Sequence, residues 1–221
     1  MDQAQHTSKT PVIIVGVGNL AHAALEILQR NDMVIYGFLA EKKPTLTEIN
    51  HIPILGNLEE DTTYIEKLGS NCAIFVALQQ SHTRQRYIQE LVTSNPHCFL
   101  NLIHPSAEIA STARIGIGNF LDSGSQLGPN VQLGSHCLLH KQVVVDAGAV
   151  VHDLVQIGTG SIIGEEVTLE EGVFVGAGVT IIPGLHIGAG AQIGAGSVVL
   201  ESIKPRERVL GNPAKLFKIN S

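Results

Sequence analysis

Residues 173–199 read VFVGAGVTIIPGLHIGAGAQIGAGSVV, and an aliphatic residue returns in this stretch at every sixth position. The same period continues toward the N-terminus without a protruding loop, so the aliphatic row has sixteen members: Ile109, Ile115, Leu121, Leu127, Leu133, Leu139, Val145, Val151, Ile157, Ile163, Leu169, Val175, Ile181, Ile187, Ile193 and Val199. A second row, two residues earlier in each step, holds small or modest side chains. Such repeats build solenoids, because each step buries its apolar face only against neighbouring coils. The sequence therefore predicts a left-handed parallel β-helix of hexapeptide repeats, with three strands in each of a little over five coils.

Glycine directly follows the aliphatic residue in eight of these steps: Gly116, Gly128, Gly134, Gly158, Gly164, Gly176, Gly188 and Gly194. A three-sided coil must turn a corner after each short strand. We expect these glycines at the corners, where the backbone needs unusual φ/ψ values.

The chain between Pro11 and Asn101 has a different pattern, in which short apolar runs alternate with helical periodicity. This alternation is typical of βαβ units and a parallel sheet. The predicted organisation is a flexible N-terminus (1–10), a Rossmann-like α/β domain (11–102), the β-helix (103–203) and a C-terminal tail (204–221). The expected strands and helices are Val12–Val15, Ala21–Leu28, Met33–Leu39, Cys72–Leu78 and Arg84–Leu91.

A glycine-rich turn follows the first predicted strand and reads Gly16-Val17-Gly18-Asn19-Leu20-Ala21. This pattern is close to the dinucleotide-binding fingerprint, in which a phosphate approaches free N–H groups at a helix N-terminus. Glu41 follows the second strand at a spacing that suits a hydrogen bond to a ribose or a base. We therefore expect Gly16, Gly18, Asn19 and Glu41 to bind the substrate; a glycine-tightened turn beside a solvated Glu41 is the alternative.

Composition narrows the possible functions. The 221 residues are 44% hydrophobic and carry a net charge of −6, which argues against both disorder and electrostatic binding of nucleic acid. No apolar run approaches the length of a membrane span, and no leader sequence is predicted. Three widely spaced cysteines, Cys72, Cys98 and Cys137, fit neither a disulfide framework nor a metal site. A cytoplasmic protein without a membrane partner is expected.

The chain resembles the NeuD/PglD family of bacterial sugar acyltransferases over nearly its whole length. The motifs that carry the resemblance are the Gly16-x-Gly18 turn, Gly37-Phe38-Leu39, Ile52-Pro53-Ile54-Leu55-Gly56, Ile103-His104-Pro105-Ser106-Ala107, Gly176-Ala177-Gly178, Ile182-Pro183-Gly184 and Gly211-Asn212-Pro213-Ala214-Lys215. The resemblance implies a homotrimer that transfers an acetyl group from acetyl-CoA to an amino or hydroxyl group of a sugar, commonly nucleotide-linked. The products of such enzymes enter surface glycan or glycoprotein synthesis.

The resemblance also implies where acetyl-CoA binds. The expected donor-site residues are Gly176, Ala177, Gly194, Ala195, Pro213 and Lys215. Glycine and alanine would leave room for the pantetheine arm against backbone N–H groups. The C-terminal tail is basic within an acidic protein, which suits the phosphates of CoA; a basic tail that only caps the prism is the alternative.

The chain departs from the family where the catalytic base is expected. The family has a histidine followed by an acidic residue, with a second histidine nine residues later; these two histidine positions are occupied here by Ala147 and Gln156. Acyl transfer needs a group that takes the proton of the nucleophile. His140 and His152 are the candidates for a displaced base, with Asp146 as a group that orients an imidazole.

Three further expectations concern the same region. Gln156 is assigned to the substrate site. No metal is expected, because the spacing of the histidines does not match a metal-binding pattern. Glu165 and Glu166 stand close to the expected path of the pantetheine arm, where the family has small residues. Two functions stay open: an active acetyl-CoA-dependent sugar acyltransferase, and a catalytically degenerate relative that binds a nucleotide-sugar or a partner enzyme.

Overall fold

The computed structural model describes residues 10–58, 72–94 and 99–217. Its contacts divide the chain into two compact units, 1–102 and 103–221. The flexible segment predicted for residues 1–10 falls outside the described residues except for Thr10, and Cys98 also lies outside them.

The described part of the N-terminal unit is an α/β fold. Its elements are β1 (Val12–Val15), α1 (Asn19–Arg30), β2 (Ile35–Ala40), β3 (Glu48–Ile49), β4 (Ile52–Asn57), β5 (Ala73–Val76) and α2 (Ser81–Ser94). The sheet order is β3-β4-β2-β1-β5. Strand β1 pairs in parallel with β2 and β5, and β2 pairs in parallel with β4, whereas β3 is antiparallel to β4. The predicted parallel α/β sheet is confirmed; the short β3–β4 hairpin was not predicted from the sequence.

The two neighbouring strands β1 and β5 are the most buried part of this sheet. All four residues of β1 and all four of β5 are buried, which matches their uninterrupted apolar sequence. Helix α1 begins at Asn19 and packs one apolar stripe inward: Leu20, Ala21, Ala24, Leu25, Ile27 and Leu28. The carboxyl ends of β1, β2 and β5 are therefore held at one edge of a rigid sheet.

The C-terminal unit is a left-handed parallel β-helix, as predicted. Its two-residue strands are β6 (Leu102–Ile103), β7 (Glu108–Ile109), β8 (Arg114–Ile115), β9 (Phe120–Leu121), β10 (Gln126–Leu127), β11 (Gln132–Leu133), β12 (Leu138–Leu139), β13 (Val144–Val145), β14 (Val150–Val151), β15 (Gln156–Ile157), β16 (Ile162–Ile163), β17 (Thr168–Leu169), β18 (Phe174–Val175), β19 (Thr180–Ile181), β20 (His186–Ile187), β21 (Gln192–Ile193) and β22 (Val198–Val199). The aliphatic residue of the repeat is the second residue of each strand.

Strands 18 residues apart pair in parallel, for example Leu139 with Ile157, so three strands complete one coil. The strands form three sheets, named here face 1 (β6, β9, β12, β15, β18, β21), face 2 (β7, β10, β13, β16, β19, β22) and face 3 (β8, β11, β14, β17, β20). Edge 1 is the four-residue corner from face 1 to face 2, edge 2 the corner from face 2 to face 3, and edge 3 the corner from face 3 to face 1.

The aliphatic row forms the core of the prism. Its members from Leu121 to Val199 are all at most 4% exposed, whereas Ile109 is exposed and Ile115 half-buried in the first coil. Most residues of the second row are also buried, including the polar Asn119, Ser125 and Ser161. The two rows together form one continuous core along the prism.

The structure corrects the explanation given for the glycines that follow the aliphatic residues. None of the eight has a positive φ; the left-handed conformation falls two residues later, at the third corner residue, with φ between 56° and 76° in every step from Gly118 to Gly196. At these eight positions the next coil lies so close that a Cβ would clash, although the first corner position carries a side chain in other steps, as at Asp122 and His140. A Cβ on Gly158 would lie 2.5 Å from the backbone nitrogen of Ala177.

The solenoid continues past the predicted boundary at residue 203. Ile203 forms a parallel bridge with Ile187, and β23 (Arg208–Leu210) adds to face 1 beside β21. Strand β24 (Lys215–Leu216) then turns back antiparallel to β23. The region interpreted as a tail therefore contains two strands, because Ile203 and Val209 remain apolar and buried although the six-residue spacing is lost.

The two kinds of corner glycine predict different costs of substitution. In Gly164→Ala the new Cβ would lie 2.7 Å from the nitrogen of Pro183, whereas in Gly172→Ala it meets nothing within 4 Å and only a positive φ opposes it. We expect the free energy of unfolding to fall by about 2–3 kcal/mol for Gly164→Ala and by about 1 kcal/mol for Gly172→Ala. Urea denaturation followed by circular dichroism measures both; equal losses would contradict the assignment.

Candidate functional site

A cavity of about 290 Å³ lies at the carboxyl ends of the N-terminal sheet. It is lined by Gly18, Asn19, Leu20, Glu41, Ala77, Leu78, Gln79, Gln80 and Thr83. These residues follow β1, β2 and β5, and the chain leaves the two neighbouring strands β1 and β5 for different helices at this point. Ligands of open parallel sheets bind at such a switch point. Three of the predicted substrate residues, Gly18, Asn19 and Glu41, therefore share one cavity.

The two glycines of the turn have different roles. Gly16 has φ +114°, and a Cβ there would lie 2.7 Å from the carbonyl oxygen of Ala77, so Gly16 lets the loops after β1 and β5 approach each other. Gly18 caps α1 in an extended conformation, and a Cβ there would meet nothing within 4 Å. Gly16 is buried and shapes the cavity from below, whereas Gly18 is exposed at its mouth.

A buried arginine, Arg84, forms hydrogen bonds to the loop that lines this cavity. Arg84 is 1% exposed, and its Nη1 donates to the carbonyl oxygens of Leu78 at 2.7 Å and Gln79 at 3.0 Å. Both acceptors belong to the loop that lines the cavity. Sequence spacing at the start of this helix is equally compatible with a phosphate contact and with a solvated helix; in the structure Arg84 instead positions the loop.

A second cavity of about 360 Å³ adjoins the first through Glu41, which lines both. It includes Lys42, Lys43 and an apolar wall of Val17, Pro44, Leu46 and Ile54. The apolar wall beside two exposed ammonium groups suits a planar ring together with an anionic group. The two cavities together extend around one acidic side chain.

Edge 1 of the solenoid aligns residues of different chemistry along the prism. Its first corner residue is, in six successive coils, His104, Asp122, His140, Gly158, Gly176 and Gly194. Backbone hydrogen bonds hold the column together; for example, the N–H of His140 donates to the carbonyl of Ile157 at 3.0 Å. The lower half of the column is thus polar and titratable, and the upper half has no side chains.

The upper half of edge 1 is a strip of exposed backbone. Beside the glycines of the column, its exposed residues are Thr159, Gly160, Ala177, Gly178, Ala195 and Gly196. Cβ atoms on Gly160, Gly178 and Gly196 would meet nothing within 4 Å. The same corner position carries side chains on the other edges, as at Glu166 and Leu154, so the left-handed turn does not by itself require glycine. We call this strip, residues 158–160, 176–178 and 194–196, the glycine strip.

The far end of the glycine strip is basic. The segment Gly211–Ala214 bonds to the strand that follows edge 1, through the N–H of Val198 to the carbonyl of Gly211 and the N–H of Ala214 to the carbonyl of Val198. Lys215 pairs with Leu210, the residue that covers Gly194. The predicted donor residues Gly176, Ala177, Gly194, Ala195, Pro213 and Lys215 therefore follow one edge, and His140 lies on the same edge.

His140 and Gln156 are in contact. The Nε2 atoms of the two side chains are 3.3 Å apart, and the imidazole packs edge-on against the Phe120 ring, with 6.2 Å between centroids. Gln156 projects outward from face 1 one coil above His140. The residue assigned to the substrate site and one of the two candidate bases thus form one cluster.

The other candidates lie elsewhere in the protomer. His152 is exposed on edge 3 and Asp146 is exposed on edge 2, where its Oδ1 accepts the N–H of Ala147 at 2.8 Å. Glu165 and Glu166 are also on edge 2, away from the glycine strip of the same chain. The protomer therefore brings neither His152 nor Asp146 to His140.

Other chemistry is sparse in the described residues. Cys72 and Cys137 are buried and unpaired with each other, and burial raises the pKa of the Cys72 thiol, which disfavours the thiolate. Within residues 10–58, 72–94 and 99–217, no three potential ligand side chains are grouped as a metal site. In the same ranges, no helix combines the length and the apolar character that crossing a membrane requires.

Arg84 provides a test of the cavity's construction. Arg84→Met removes two hydrogen bonds to carbonyls of a buried loop, so the free energy of unfolding should fall by about 2–3 kcal/mol. The matched control is Arg86→Met on the same helix, where an exposed guanidinium lies 4.5 Å from the Tyr87 ring centroid; its loss should stay below about 1 kcal/mol. Urea denaturation compares them, and equal effects would remove Arg84 from the positioning role.

Comparisons with known proteins agree with the two-unit architecture. The bacterial transferase hexapeptide family (six repeats) matches residues 166–201. No curated protein matches the sequence significantly. Among solved structures, a histidine-to-alanine variant of GDP-perosamine N-acetyltransferase from Caulobacter crescentus, in complex with CoA and GDP-perosamine, is 26% identical with a TM-score of 0.85 over 95% of this chain and 97% of that chain.

Two further structures share the fold. The acetyltransferase domain of PglB from Neisseria gonorrhoeae, in complex with acetyl coenzyme A, has a TM-score of 0.86 at 21% identity over 95% of this chain and 100% of that domain. WeeI from Acinetobacter baumannii has a TM-score of 0.83 at 22% identity over 93% of this chain and 99% of that chain. At 21% and 22% identity, these two structures show the shared fold alone. Together with the 26% identical GDP-perosamine N-acetyltransferase, the comparisons confirm the resemblance to bacterial sugar acyltransferases that the sequence motifs indicated.

Proposed function

We propose that this protein is a sugar N-acetyltransferase that moves the acetyl group of acetyl-CoA to an amino group of a nucleotide-linked sugar. The observation that carries the proposal is edge 1 of the solenoid, where a strip of glycine with small side chains leads from a basic end to His140. The similarity to a nucleotide-sugar N-acetyltransferase that binds CoA and GDP-perosamine supports it. Hydroxyl acceptors remain the alternative.

CoA is a long molecule with phosphates at one end and a thioester at the other, and edge 1 has matching ends. Four coils separate His140 from Leu210, a length of about 19 Å at the usual strand spacing. The pantetheine arm would lie along Ala177 and Ala195, with its phosphates near Arg208 and Lys215, which are exposed. This arrangement delivers the thioester carbonyl to the polar half of the edge.

The acceptor nucleotide would bind in the cavities of the N-terminal unit. Its phosphate would take N–H groups at the start of α1, next to Gly18, and Glu41 would accept from a ribose or base. Lys42 and Lys43 add positive charge beside the same carboxylate. These assignments leave the sugar free to extend away from the α/β domain.

The proposed chemistry needs one base. The amine nitrogen attacks the thioester carbonyl, a C–N bond forms, and the C–S bond breaks as CoA thiolate leaves. His140 Nε2 takes the proton that the amine loses, and the imidazolium returns it to the thiolate. Ala147, at the family's base position, has no proton-accepting side chain, so His140 is the base that this chain offers beside the glycine strip.

A homotrimer and a cytoplasmic location are part of the same proposal. The outward row of face 2 carries apolar side chains at Val144, Ile162 and Val198, and Ile162 is 46% exposed in the protomer. Contact with other copies of the chain would cover this row. Light scattering after gel filtration would report the number of chains.

The first experiment is calorimetry with acetyl-CoA, followed by a thiol-release assay with nucleotide-linked amino sugars. Micromolar binding at one site per chain and release of CoA support the proposal. Binding of acetyl-CoA and of a nucleotide-sugar without acetyl transfer identifies the catalytically degenerate alternative, a nucleotide-sugar-binding relative. No binding at millimolar acetyl-CoA contradicts both the donor site and the enzyme.

Filling the glycine strip should block the donor. Ala177→Leu places a branched side chain on an exposed corner of edge 1, so the Kd for acetyl-CoA should rise at least about 10-fold, since a steric block costs more than 1.4 kcal/mol. Ala189→Leu makes the same change at the equivalent corner residue of edge 3 and should leave the Kd unchanged. Calorimetry measures both, and equal Kd values for the two variants would place the arm elsewhere.

Removing the base should slow transfer without preventing binding. His140→Ala should lower kcat by about 10²-fold or more, the usual contribution of a general base, while the Kd for acetyl-CoA changes little. His152→Ala, on edge 3, is the comparison that decides between the two histidines. Steady-state thiol release provides kcat; a larger loss for His152→Ala would transfer the role to His152.

A further inference from the structure

The imidazole of His140 is held beside face 1 by contacts from two coils. From the coil below, the Phe120 ring packs edge-on against it, with 6.2 Å between the ring centroids. From the coil above, the side-chain amide nitrogen of Gln156 lies 3.3 Å from the imidazole Nε2. Phe120, Leu138 and Gln156 pair in register as outward residues of successive strands. The ring therefore lies next to one column of face 1, with the Gln156 amide at its Nε2 atom.

The contact with Gln156 selects the protonation state of Nε2. A side-chain amide nitrogen carries two protons and accepts no hydrogen bond, so the bond runs from the Gln156 N–H to a lone pair on His140 Nε2. This holds whatever else the ring contacts, because an N–H···N bond needs a lone pair on the acceptor nitrogen. Nε2 is therefore free of a proton, which is the form that a general base needs.

We propose that Gln156 is the positioning residue of His140: its amide N–H holds the ring and keeps Nε2 free of a proton. The inference rests on the proposed function, in which His140 is the base. Because Nε2 has a single lone pair, the acceptor amine replaces the amide N–H when it binds. During transfer Nε2 takes one proton from the amine and later gives it to the CoA thiolate, while Gln156 neither gains nor loses one.

A carboxylate in place of the Gln156 amide would have the opposite effect. Glutamate has nearly the shape of glutamine but only accepts hydrogen bonds when ionised, so it would bond to Nε2 only if that nitrogen carried a proton. Its negative charge would also favour the imidazolium. The amide therefore keeps His140 in the neutral form that a carboxylate at the same place would remove.

Other titratable groups lie near His140, and they are the same in the wild type and in variants at position 156. In the described solenoid, the charged or titratable residues on edge 1 from two coils below His140 to one coil above it are His104, Asp122 and Lys141. On face 1, the outward residues of the same coil and the coil below are Leu138 and Phe120, which carry no charge. A difference in the titration of His140 between these proteins therefore reports its contact with Gln156.

The test follows the titration of His140 in the protein without substrate. Proton NMR of the imidazole Cε1–H gives the titration midpoint, and the resonance is assigned by its absence in His140→Asn. Gln156→Glu replaces the donor by an acceptor, whereas Gln156→Met removes the donor without adding a charge. The matched control is Gln192→Glu, because Gln192 is an exposed outward glutamine of face 1 two coils above Gln156.

Both substitutions of Gln156 should raise the midpoint, since each removes a hydrogen bond that favours the neutral ring. We expect a rise of about one pH unit for Gln156→Glu, whose carboxylate also attracts the imidazolium, and a smaller rise for Gln156→Met. Gln192 lies about 10 Å from Gln156 along the face, so Gln192→Glu should leave the midpoint unchanged.

The transferase assay should show the same shift. At pH values below the wild-type midpoint, Gln156→Glu should lower kcat about 10-fold, since a rise of one unit leaves a tenth as much neutral imidazole. The loss should disappear above the raised midpoint, so the pH profile of kcat moves up by the amount that NMR measures. In a His140→Asn background, Gln156→Glu should have no further effect on kcat.

The outcomes separate this inference from the proposed function. An unchanged His140 midpoint in both variants of Gln156 overturns the positioning role whatever the activity. A lower midpoint in Gln156→Met also overturns it, because the amide oxygen then faces a protonated Nε2. Raised midpoints without any acetyl transfer by the wild type keep the contact and refute the enzyme. A loss of kcat that persists at high pH or in the His140→Asn background means that Gln156 does not act through His140, which overturns the inference.

Discussion

Backbone hydrogen bonds between residues one coil apart determine where every side chain of the solenoid lies. Leu139 pairs with Ile157 and Val175 with Ile193, so each position of the repeat forms a straight column along the prism. This register puts His140 in line with Gly158, Gly176 and Gly194, the alignment on which the proposed donor site depends. At the eight glycines of the first corner position the next coil lies so close that a Cβ would clash, whereas Asp122 and His140 carry side chains at the same position of other coils.

Hydrophobic periodicity predicted those strands whose side chains form the two buried cores. The aliphatic row and the strand Val12–Val15 have simple patterns because their environment is uniformly apolar. The β3–β4 hairpin was not predictable in this way, since β3 has only two residues and β4 is partly exposed and contains Pro53. The solenoid boundary at residue 203 was placed too early, because β23 keeps the inward Val209 after the six-residue count has been lost.

The candidate site was predictable only in part, since sequence spacing shows which residues share a column but not which side chains meet. Counting in steps of 18 aligns Asp122, His140 and Gly158, and that signal was present in the sequence. The contact between His140 and Gln156 was not, because it joins a corner residue to the outward residue of the next coil. The burial of Arg84 was likewise not predictable, because a buried arginine and a solvated one have the same helical spacing.

The left-handed corner position accepts glycine, asparagine, histidine, glutamine, leucine and glutamate in the same conformation. His136 and Leu154 are buried at this position, whereas Asn130, Gln142 and Glu166 are exposed. The backbone therefore keeps one conformation in very different surroundings. A substitution at such a corner changes the surface of one edge and leaves the register of the strands on either side as it is.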